Sequence, residues 1–482
     1  FSLYNKDKGG FFMDEFLRDI HTMLFKQWIL IQDQSQCQIY LDDKNENIID
    51  IKTNYSFSQV IFNPLNIIEL SVTNTMTQNI EFYLHFQMKT MKHATELFNE
   101  MMNNILQLVD KPKIKILLSC SGGLTTSYFA SKLNEAAQIL DYHYEVRAIG
   151  YTDLFNVGNE YDVILLAPQI SFMHAKVQEI LKDKIVLKVP PQVFAKYDVA
   201  KTLQLVRHAL EHQKLPHNSK TESTIKPLQV IPHQNTKILV LSLFRNSLRV
   251  HIAYHLYDEQ NHIISSNEII KFKISMEDIY DVIDTILLQY PRIQIIGIST
   301  PGIINNGFVA STSIIGLNNF NMYQLLKERY HQHIVIDNDV NTAAVGYYAS
   351  QQQFSSLIFL FQPNNHFGGA GIIVNGQLVK GHAHIAGEVQ YLPLNYSAPP
   401  QTLAKTPEGA LELVSKTIVA LSSVIGPEAI ILSCTLIPDV DELKKMIAQY
   451  IPKKYLPRII KIENIQEYIL IGQLILCLQE YK

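Results

Sequence analysis

The rhythm of apolar and polar positions changes twice along the chain and divides it into three segments. In residues 1–110 a helical patch at about 13–23 is followed by short runs of alternating or clustered β-branched and aromatic residues. These are Trp28-Ile-Leu-Ile, Gln38-Ile-Tyr-Leu, Ile48-Ile-Asp-Ile, Ser58-Gln-Val-Ile-Phe and Ile80-Glu-Phe-Tyr-Leu-His-Phe, and they predict an antiparallel sheet. Met91, Ala94, Phe98, Met101, Ile105 and Leu108 then recur at three- and four-residue intervals, the stripe of an amphipathic helix. Core packing is the expected use of its methionines, a partner surface the alternative. From Lys113 the apolar runs at 114–118, 145–149, 163–166 and 185–189 alternate with helical stretches at about 126–140, 171–182 and 198–213, which predicts a parallel sheet covered on both faces. Residues 214–235 are polar and carry Pro216 and Pro227, as an exposed linker does, and a second α/β unit runs from 236 to 482.

Composition narrows this picture. A chain of 482 residues is too long for one ordinary core. With 47% apolar and 18% charged residues it has material for several soluble globular units, and the expected division is 1–110, 111–213, a linker at 214–235, and 236–482. A formal charge of −4 without a long Lys/Arg block gives no support to nucleic acid or an anionic membrane as partner. The four cysteines, at 37, 120, 434 and 477, form no CxxC pair or disulfide framework, so a reducing cytoplasm is the expected compartment. The longest apolar run near the end, at 468–478, falls short of the roughly 20 residues of a membrane span, and no signal peptide or anchor is evident. The chain opens on Phe1 rather than Met, so residues in front of it are expected.

One loop carries chemistry. In Ile114-Lys-Ile-Leu-Leu-Ser-Cys120-Ser-Gly-Gly-Leu-Thr-Thr-Ser127 a cysteine follows a strand and precedes two glycines, three hydroxyl residues and a helix. Glycines let backbone wrap an anion, and amide N–H groups at the helix start favour negative charge. The same field favours the thiolate, the nucleophilic form. A phosphoryl group on Cys120 would be held by the amides of Ser121, Gly122 and Gly123 and by the hydroxyls of Thr125, Thr126 and Ser127. This loop resembles that of the lactose/cellobiose-type enzyme IIB proteins of the sugar phosphotransferase system, and Leu165-Leu-Ala-Pro-Gln-Ile-Ser-Phe-Met173 and Phe194-Ala-Lys-Tyr-Asp198 resemble two further stretches of that family in its order. The resemblance implies a flavodoxin-like domain with a four-stranded parallel sheet, Cys120 as phosphoryl acceptor, and IIA and IIC proteins as partners.

Residues 236–482 resemble the ROK family of sugar kinases and repressors through Ile296-Gly-Ile-Ser-Thr-Pro-Gly302, Ile334-Val-Ile-Asp-Asn-Asp339-Val-Asn-Thr-Ala-Ala, Gly368-Gly-Ala-Gly-Ile-Ile-Val-Asn-Gly376 and Lys380-Gly-His-Ala-His-Ile-Ala-Gly-Glu388. The resemblance implies an actin-like two-lobed fold, a homodimer, and a sugar held by Gly302, Asn338, Asp339 and Glu388, with Asp339 in the general-base position. A carboxylate that accepts two hydroxyl hydrogen bonds suits such a ligand. For Glu388 a purely structural role is the alternative. Asp337 is expected to be solvated or capping, and Cys434 and Cys477 to be core residues.

The departures from the family concern phosphate and metal. Where members carry Asp-x-Gly-Gly-Thr, this chain has Ser242-Leu-Phe244-Arg245-Asn246, and Asn365-His366-Phe367 stands in place of Gly-Thr-Gly. Backbone cannot close on a triphosphate through Phe and Arg side chains, and Ser242 replaces an acid that helps hold Mg²⁺. Members with zinc have a His where Tyr391 stands and a Cys-x-Cys-Gly cluster that is missing here, which leaves His382 and His384 without companion ligands, so no metal and no cofactor are expected.

The combination implies a cytoplasmic, phosphotransferase-linked sensor of a sugar or sugar phosphate. An active IIB phosphotransferase fused to a ROK domain and a catalytically dead scaffold are the alternatives. ROK repressors carry a helix-turn-helix ahead of the sugar domain, and none is evident in residues 1–110. That first segment, a small α+β domain by its pattern, carries no motif that identifies a family.

Overall fold

The computed structural model describes residues 6–481 except 33–34, 76–77, 110–113, 123, 141, 143, 213–235, 247–248, 311, 313, 315 and 352. The linker at 214–235 lies outside the described residues. In the first segment α1 (Lys6–Leu30) leads to strands β1 (Gln38–Leu41), β2 (Ile48–Lys52), β3 (Ser56–Asn63), β4 (Ile67–Asn74) and β5 (Ile80–Gln87), and α2 (Met91–Val109) closes it. The strands pair in sequence order, all antiparallel. Ala94, Phe98, Met101 and Ile105 are fully buried, so the stripe on α2 is core. Trp28-Ile-Leu, read from the sequence as strand, is instead the last turn of α1. Phe25, Trp28 and Ile29 sit at helical spacing, and Phe25 and Trp28 each meet Phe98 edge-on, at 6.1 and 5.4 Å between ring centroids. Packing of that face overrides the β-propensity of the residues on it.

The second segment holds β6 (Ile114–Cys120), α3 (Leu124–Ile139), β7 (Tyr144–Gly150), α4 (Tyr151–Val157), β8 (Val163–Leu166), α5 (His174–Ile180), β9 (Ile185–Lys188), α6 (Pro191–Ala195) and α7 (Val199–His212). Its sheet runs β7-β6-β8-β9, entirely parallel. Side chains alternate across it. Ile116, Leu118 and Cys120 face the layer of Phe129 and Leu203, whereas Leu117, Ile164 and Leu166 face Leu154, Phe155 and Val177.

The third segment begins with β10 (Lys237–Arg245), β11 (Val250–Tyr257), β12 (Ile263–Lys271), α8 (Met276–Gln289) and β13 (Ile293–Thr300). A small sheet follows, of β14 (Ile303–Asn305), β15 (Phe308–Ala310) and β16 (Phe320–Asn321); then come α9 (Met322–Arg329), β17 (His333–Asn338) and α10 (Asp339–Gln351). The other lobe contains β18 (Leu357–Phe361), β19 (Gly369–Val374), β20 (Gln377–Leu378), α11 (Pro400–Leu403), α12 (Pro407–Ile425), β21 (Ala429–Ser433), α13 (Val440–Ile447) and β22 (Arg458–Lys461), and α14 (Ile465–Glu480) returns to pack on β10, β13 and β17. Thr406 caps α12 by accepting from Gly409 N at 3.1 Å, Pro407 takes its first position, and Gly426 ends it at φ +63°.

Lobe one does not stop at β12. The strand pairs with β5 through Ile270 and Tyr83, so the first segment and lobe one share a sheet ordered β1-β2-β3-β4-β5-β12-β11-β10-β13-β17 among the described residues. Charge pairs line the junction: Arg249 with Glu81 at 3.0 Å, Lys89 with Asp281 at 2.9 Å, and the buried Lys271 between Glu100 at 2.8 Å and Asp278 at 2.5 Å. No helix among the described residues is long and apolar enough to cross a membrane.

Candidate functional site

Cys120 is the last residue of β6, with Gly150 of β7 as its ladder neighbour. The strand's alternation turns its side chain inward, so Cys120 is buried. Thr126, fully buried on α3, donates its hydroxyl proton to Cys120 Sγ, and the thiol donates to the Gly122 carbonyl. Ser121 and Gly122 are exposed, and no atom lies within 4 Å of where a Cβ on Gly122 would be. A side chain at position 122 would thus meet open space among the described residues, whereas the sulfur itself is buried. Ser127 is exposed on the first turns of α3. Gly123 and the Thr125 side chain lie outside the described residues. The other thiols are buried in cores. Burial pushes Cys434 up to about 11 and raises Cys477 further still.

In the third segment, β13 and β17 are parallel neighbours that end side by side, Thr300 against Asn338. The Asn338 side chain joins their exits. Its Nδ2 donates to the Gly302 carbonyl at 2.8 Å, and its Oδ1 caps α10 by accepting from Val340 N at 3.0 Å and Asn341 N at 2.9 Å. Gly302 holds φ +114°, and a Cβ there would lie 2.6 Å from the Ala310 carbonyl. Asp339 opens α10, buried, with Oδ1 accepting from Val340 N at 2.9 Å. Burial pushes its carboxyl up to about 6, and the charge of Glu388 adds to the shift. Glu388 is itself raised by burial and accepts from Gln390 Nε2 at 3.0 Å. Gly387, at φ +89°, sets Glu388 against β19, since its carbonyl accepts from Ala370 N at 2.9 Å. Of the four residues named from the sequence for sugar, Asn338 is thus bonded to Gly302, and Glu388 lies near enough to Asp339 for their charges to interact.

Of the two places expected for Asp337, solvated or capping, solvent does not hold, while its Oδ1 accepts from Asn338 N at 3.0 Å. Asp337 is 2% exposed, and its Oδ2 meets Lys380 Nζ at 2.5 Å, across from lobe one to the segment after β20. Local pattern cannot find a partner 43 residues away. Lys380→Met is expected to strand the buried carboxylate and cost about 2–3 kcal/mol, below the range for fully buried pairs because the lysine is partly exposed, as thermal unfolding would measure.

The positions at which the resemblance implied phosphate loops are held as follows. Ser242 on β10 faces Ser299 on β13, both fully buried, with hydroxyls that have no hydrogen-bond partner among the described residues. The Phe244 ring stacks on His251 at 4.5 Å between centroids, and Asn246 Nδ2 sits 2.8 Å from His251 Nε2. Arg245 is exposed. Gln362 Nε2 donates to the His366 carbonyl at 2.9 Å, Phe367 is half-exposed, and a Cβ on Gly368 would lie 2.7 Å from Gln362 Oε1.

The lactose/cellobiose-specific IIB subunit family of the PTS system matches residues 115–205, and the ROK family matches residues 249–410. A galactose-specific EIIB component of Lactococcus lactis subsp. cremoris is 33% identical over 88 residues, 17% of this chain and 79% of that protein. A xylose repressor of Caldicellulosiruptor bescii is 30% identical over 126 residues, 24% of this chain and 31% of the repressor. The chain spans less than two thirds of the length of several of the curated relatives it matches. Among solved structures, a ROK hexokinase from Thermus thermophilus is similar over 51% of this chain and 99% of its own, at 17% identity and a TM-score of 0.42. The chain therefore belongs to the lactose/cellobiose-specific IIB family through residues 115–205, and joins that domain to a ROK family domain at residues 249–410.

Proposed function

We propose that the protein is a cytoplasmic sensor of the phosphotransferase system, in which Cys120 carries a phosphoryl group received from a IIA protein and the ROK cleft binds a sugar or sugar phosphate without phosphorylating it. The observation that carries this reading is an asymmetry. Gly302, Asn338, Asp339 and Glu388 stand together on the sugar side, with Asp339 buried and its carboxyl raised. Where the resemblance to ROK kinases implies a phosphate loop, Phe244 stacks on His251, which supports the reading. Binding needs hydroxyl partners alone, whereas phosphoryl transfer also needs the electrostatic clamps on phosphate. Without them, ATP-dependent sugar phosphorylation is not expected, and Asp339 remains as a general-base position without a phosphoryl donor.

The test has two arms. Incubated with phosphoenolpyruvate, the general phosphotransferase proteins and IIA proteins, the chain is expected to take up phosphate on Cys120, located by mass spectrometry, and Cys120→Ser to take up none. Labelling with iodoacetamide near neutral pH should likewise reach Cys120 before Cys37, Cys434 or Cys477. In the second arm, hexoses, disaccharides and their phosphates are screened by thermal shift, where a ligand at 100 times its Kd adds about 2.7 kcal/mol. Robust ATP-dependent phosphorylation that Asp339→Asn removes, or the absence of any sugar-induced shift, overturns the sensor reading. Passage of the phosphoryl group from Cys120 to a sugar imported by a IIC permease would instead make the protein a working transferase.

A further inference from the structure

Between β20 and Glu388 the chain turns through four residues with positive φ: Gly381 at +69°, Ala383 at +50°, His384 at +60° and Gly387 at +89°. Glycine adopts this region freely. Ala383 and His384 carry a Cβ there, side by side, and such a conformation persists only where the surroundings enforce it. Backbone bonds fix the ends of the turn: Ala386 N donates to the Lys380 carbonyl at 3.1 Å, and the Gly387 carbonyl accepts from Ala370 N of β19 at 2.9 Å. Its middle has little cover, since His382, Ala383 and Ile385 are exposed. What holds the middle comes from lobe one. His384, half-buried, sets Nδ1 2.5 Å from the Ile304 carbonyl of β14. A carbonyl oxygen only accepts, so Nδ1 carries the proton and donates. Ile304 is 2% exposed and belongs to the core of lobe one, which makes the anchor firm.

Three interactions thus run from residues 380–388, on the β18–β22 lobe, to lobe one. Lys380 pairs with Asp337, His384 bonds Ile304, and Glu388 acts on Asp339 through its charge. The first two attract. The third repels when both carboxyls are ionised, so something else must keep these two side chains near each other. Ala370 holds the residue before Glu388 from one lobe, and His384 holds the turn from the other. The anchor also leads back to the cleft: Ile304 follows Gly302 by two residues, and the Gly302 carbonyl accepts from Asn338, the neighbour of Asp339. A closed circuit of chain and hydrogen bonds therefore passes through His384 and ends on the two carboxyls.

We infer that His384 is a positioning residue, a clasp between the two lobes that fixes Glu388 beside Asp339. The inference deepens the proposed sugar-binding role of the cleft and rests on it for its consequence, whereas the clasp itself is present without a ligand. A ligand whose hydroxyls bridge Glu388 and Asp339 meets two acceptors already spaced, and the ordering of the turn is not charged against its affinity. Histidine suits the position, because it accepts a left-handed φ more readily than most side chains and its ring reaches across to β14.

Two substitutions separate the bond from the backbone. His384→Gly removes the bond and relieves the positive φ, and His384→Asn tolerates that φ and keeps an N–H donor on a shorter arm. In the ligand-free full chain, hydrogen–deuterium exchange at 381–387 and 303–305 is expected to be about fivefold faster or more in His384→Gly, with His384→Asn in between and β1–β5 unchanged. His382→Ala, an exposed neighbour in the same turn, should exchange as wild type does. The Tm of His384→Gly should stay within about 3 °C of wild type, since relief of the backbone offsets part of the lost bond. With a sugar found by thermal shift, affinity is expected to fall about tenfold in His384→Gly, and the double variant with Glu388→Gln to bind no worse than Glu388→Gln alone, because His384 acts through Glu388. Unchanged exchange at 381–387, or faster exchange throughout the chain, overturns the clasp. Additive losses of affinity in the double variant overturn the positioning role. If the wild-type chain binds no sugar at all, the sensor reading fails, and the exchange comparison decides the clasp by itself.

Discussion

Asp339→Asn is expected to make the protein more stable near neutral pH while removing its sugar. The carboxyl is buried and pushed up to about 6, which means that the folded protein holds this proton more tightly than the unfolded chain does. For such a group the contribution to stability is fully present below about pH 4, falls as pH rises toward 6, and is gone above it. At pH 7.5 the ionised side chain therefore costs the fold on the order of 2–3 kcal/mol. An amide of the same shape avoids that cost and keeps an oxygen for Val340 N. Chemical denaturation of wild type and variant across pH 4–8 should show curves that meet near pH 4 and diverge upward, with the variant higher. Sugar affinity should fall at least about a hundredfold in the same variant, because the amide nitrogen cannot accept the second hydroxyl hydrogen bond. A variant that is less stable at pH 7.5, or that binds sugar as wild type does, would show that Asp339 is held for the fold and not for a ligand.

The second large effect is expected at the crossing of α10 and α14. Gly346 and Gly472 let the two helices touch backbone to backbone: a Cβ on Gly346 would lie 1.9 Å from the Tyr468 carbonyl, and one on Gly472 would lie 1.8 Å from the Thr342 carbonyl. Neither contact is with a flexible side chain, so the helices must separate. Gly472→Ala is expected to cost about 3 kcal/mol or more and to lower Tm by roughly 6–12 °C. Since α10 begins at Asp339, the same variant should also bind sugar less well. Gly426→Ala is the control. Gly426 has φ +63° but nothing within 4 Å of its Cβ, so only backbone strain of about 1 kcal/mol applies.

Features with a local cause could be read from the sequence. The stripe on α2, the strand–helix alternation of the IIB domain, the glycine loop after Cys120 and the Asn338-Asp339 pair all follow from neighbours within a few residues, where periodicity and turn chemistry act. Other features depend on partners distant in the chain. The turn of α1 at Trp28 looks like strand until Phe98 is placed beside it, and Asp337 looks solvated until Lys380 reaches it. The docking of α4 on Glu408 and Lys405 was likewise invisible, because Tyr151 and Asp153 belong to an unremarkable polar helix start. At the candidate cleft the residue types were legible. Their electrostatics were not, because the raised carboxyl of Asp339 arises from burial and from Glu388, 49 positions later in the sequence.

The pairing of β5 with β12 also bears on how the chain is made. On the ribosome the five-stranded half-sheet emerges before lobe one and presents β5 as an open edge, and the strand that covers it is separated from it by the whole IIB domain. Synthesis of the roughly 180 intervening residues takes on the order of ten to thirty seconds. During that interval the edge offers unpaired backbone groups to any other nascent chain, and several copies translated from one message stand side by side. Lys89 and Arg249, which later settle the junction with Asp281 and Glu81, are on opposite sides of that delay. Slow translation through the IIB domain would therefore be expected to lower the yield of soluble protein, although the sequence of the finished molecule is unchanged.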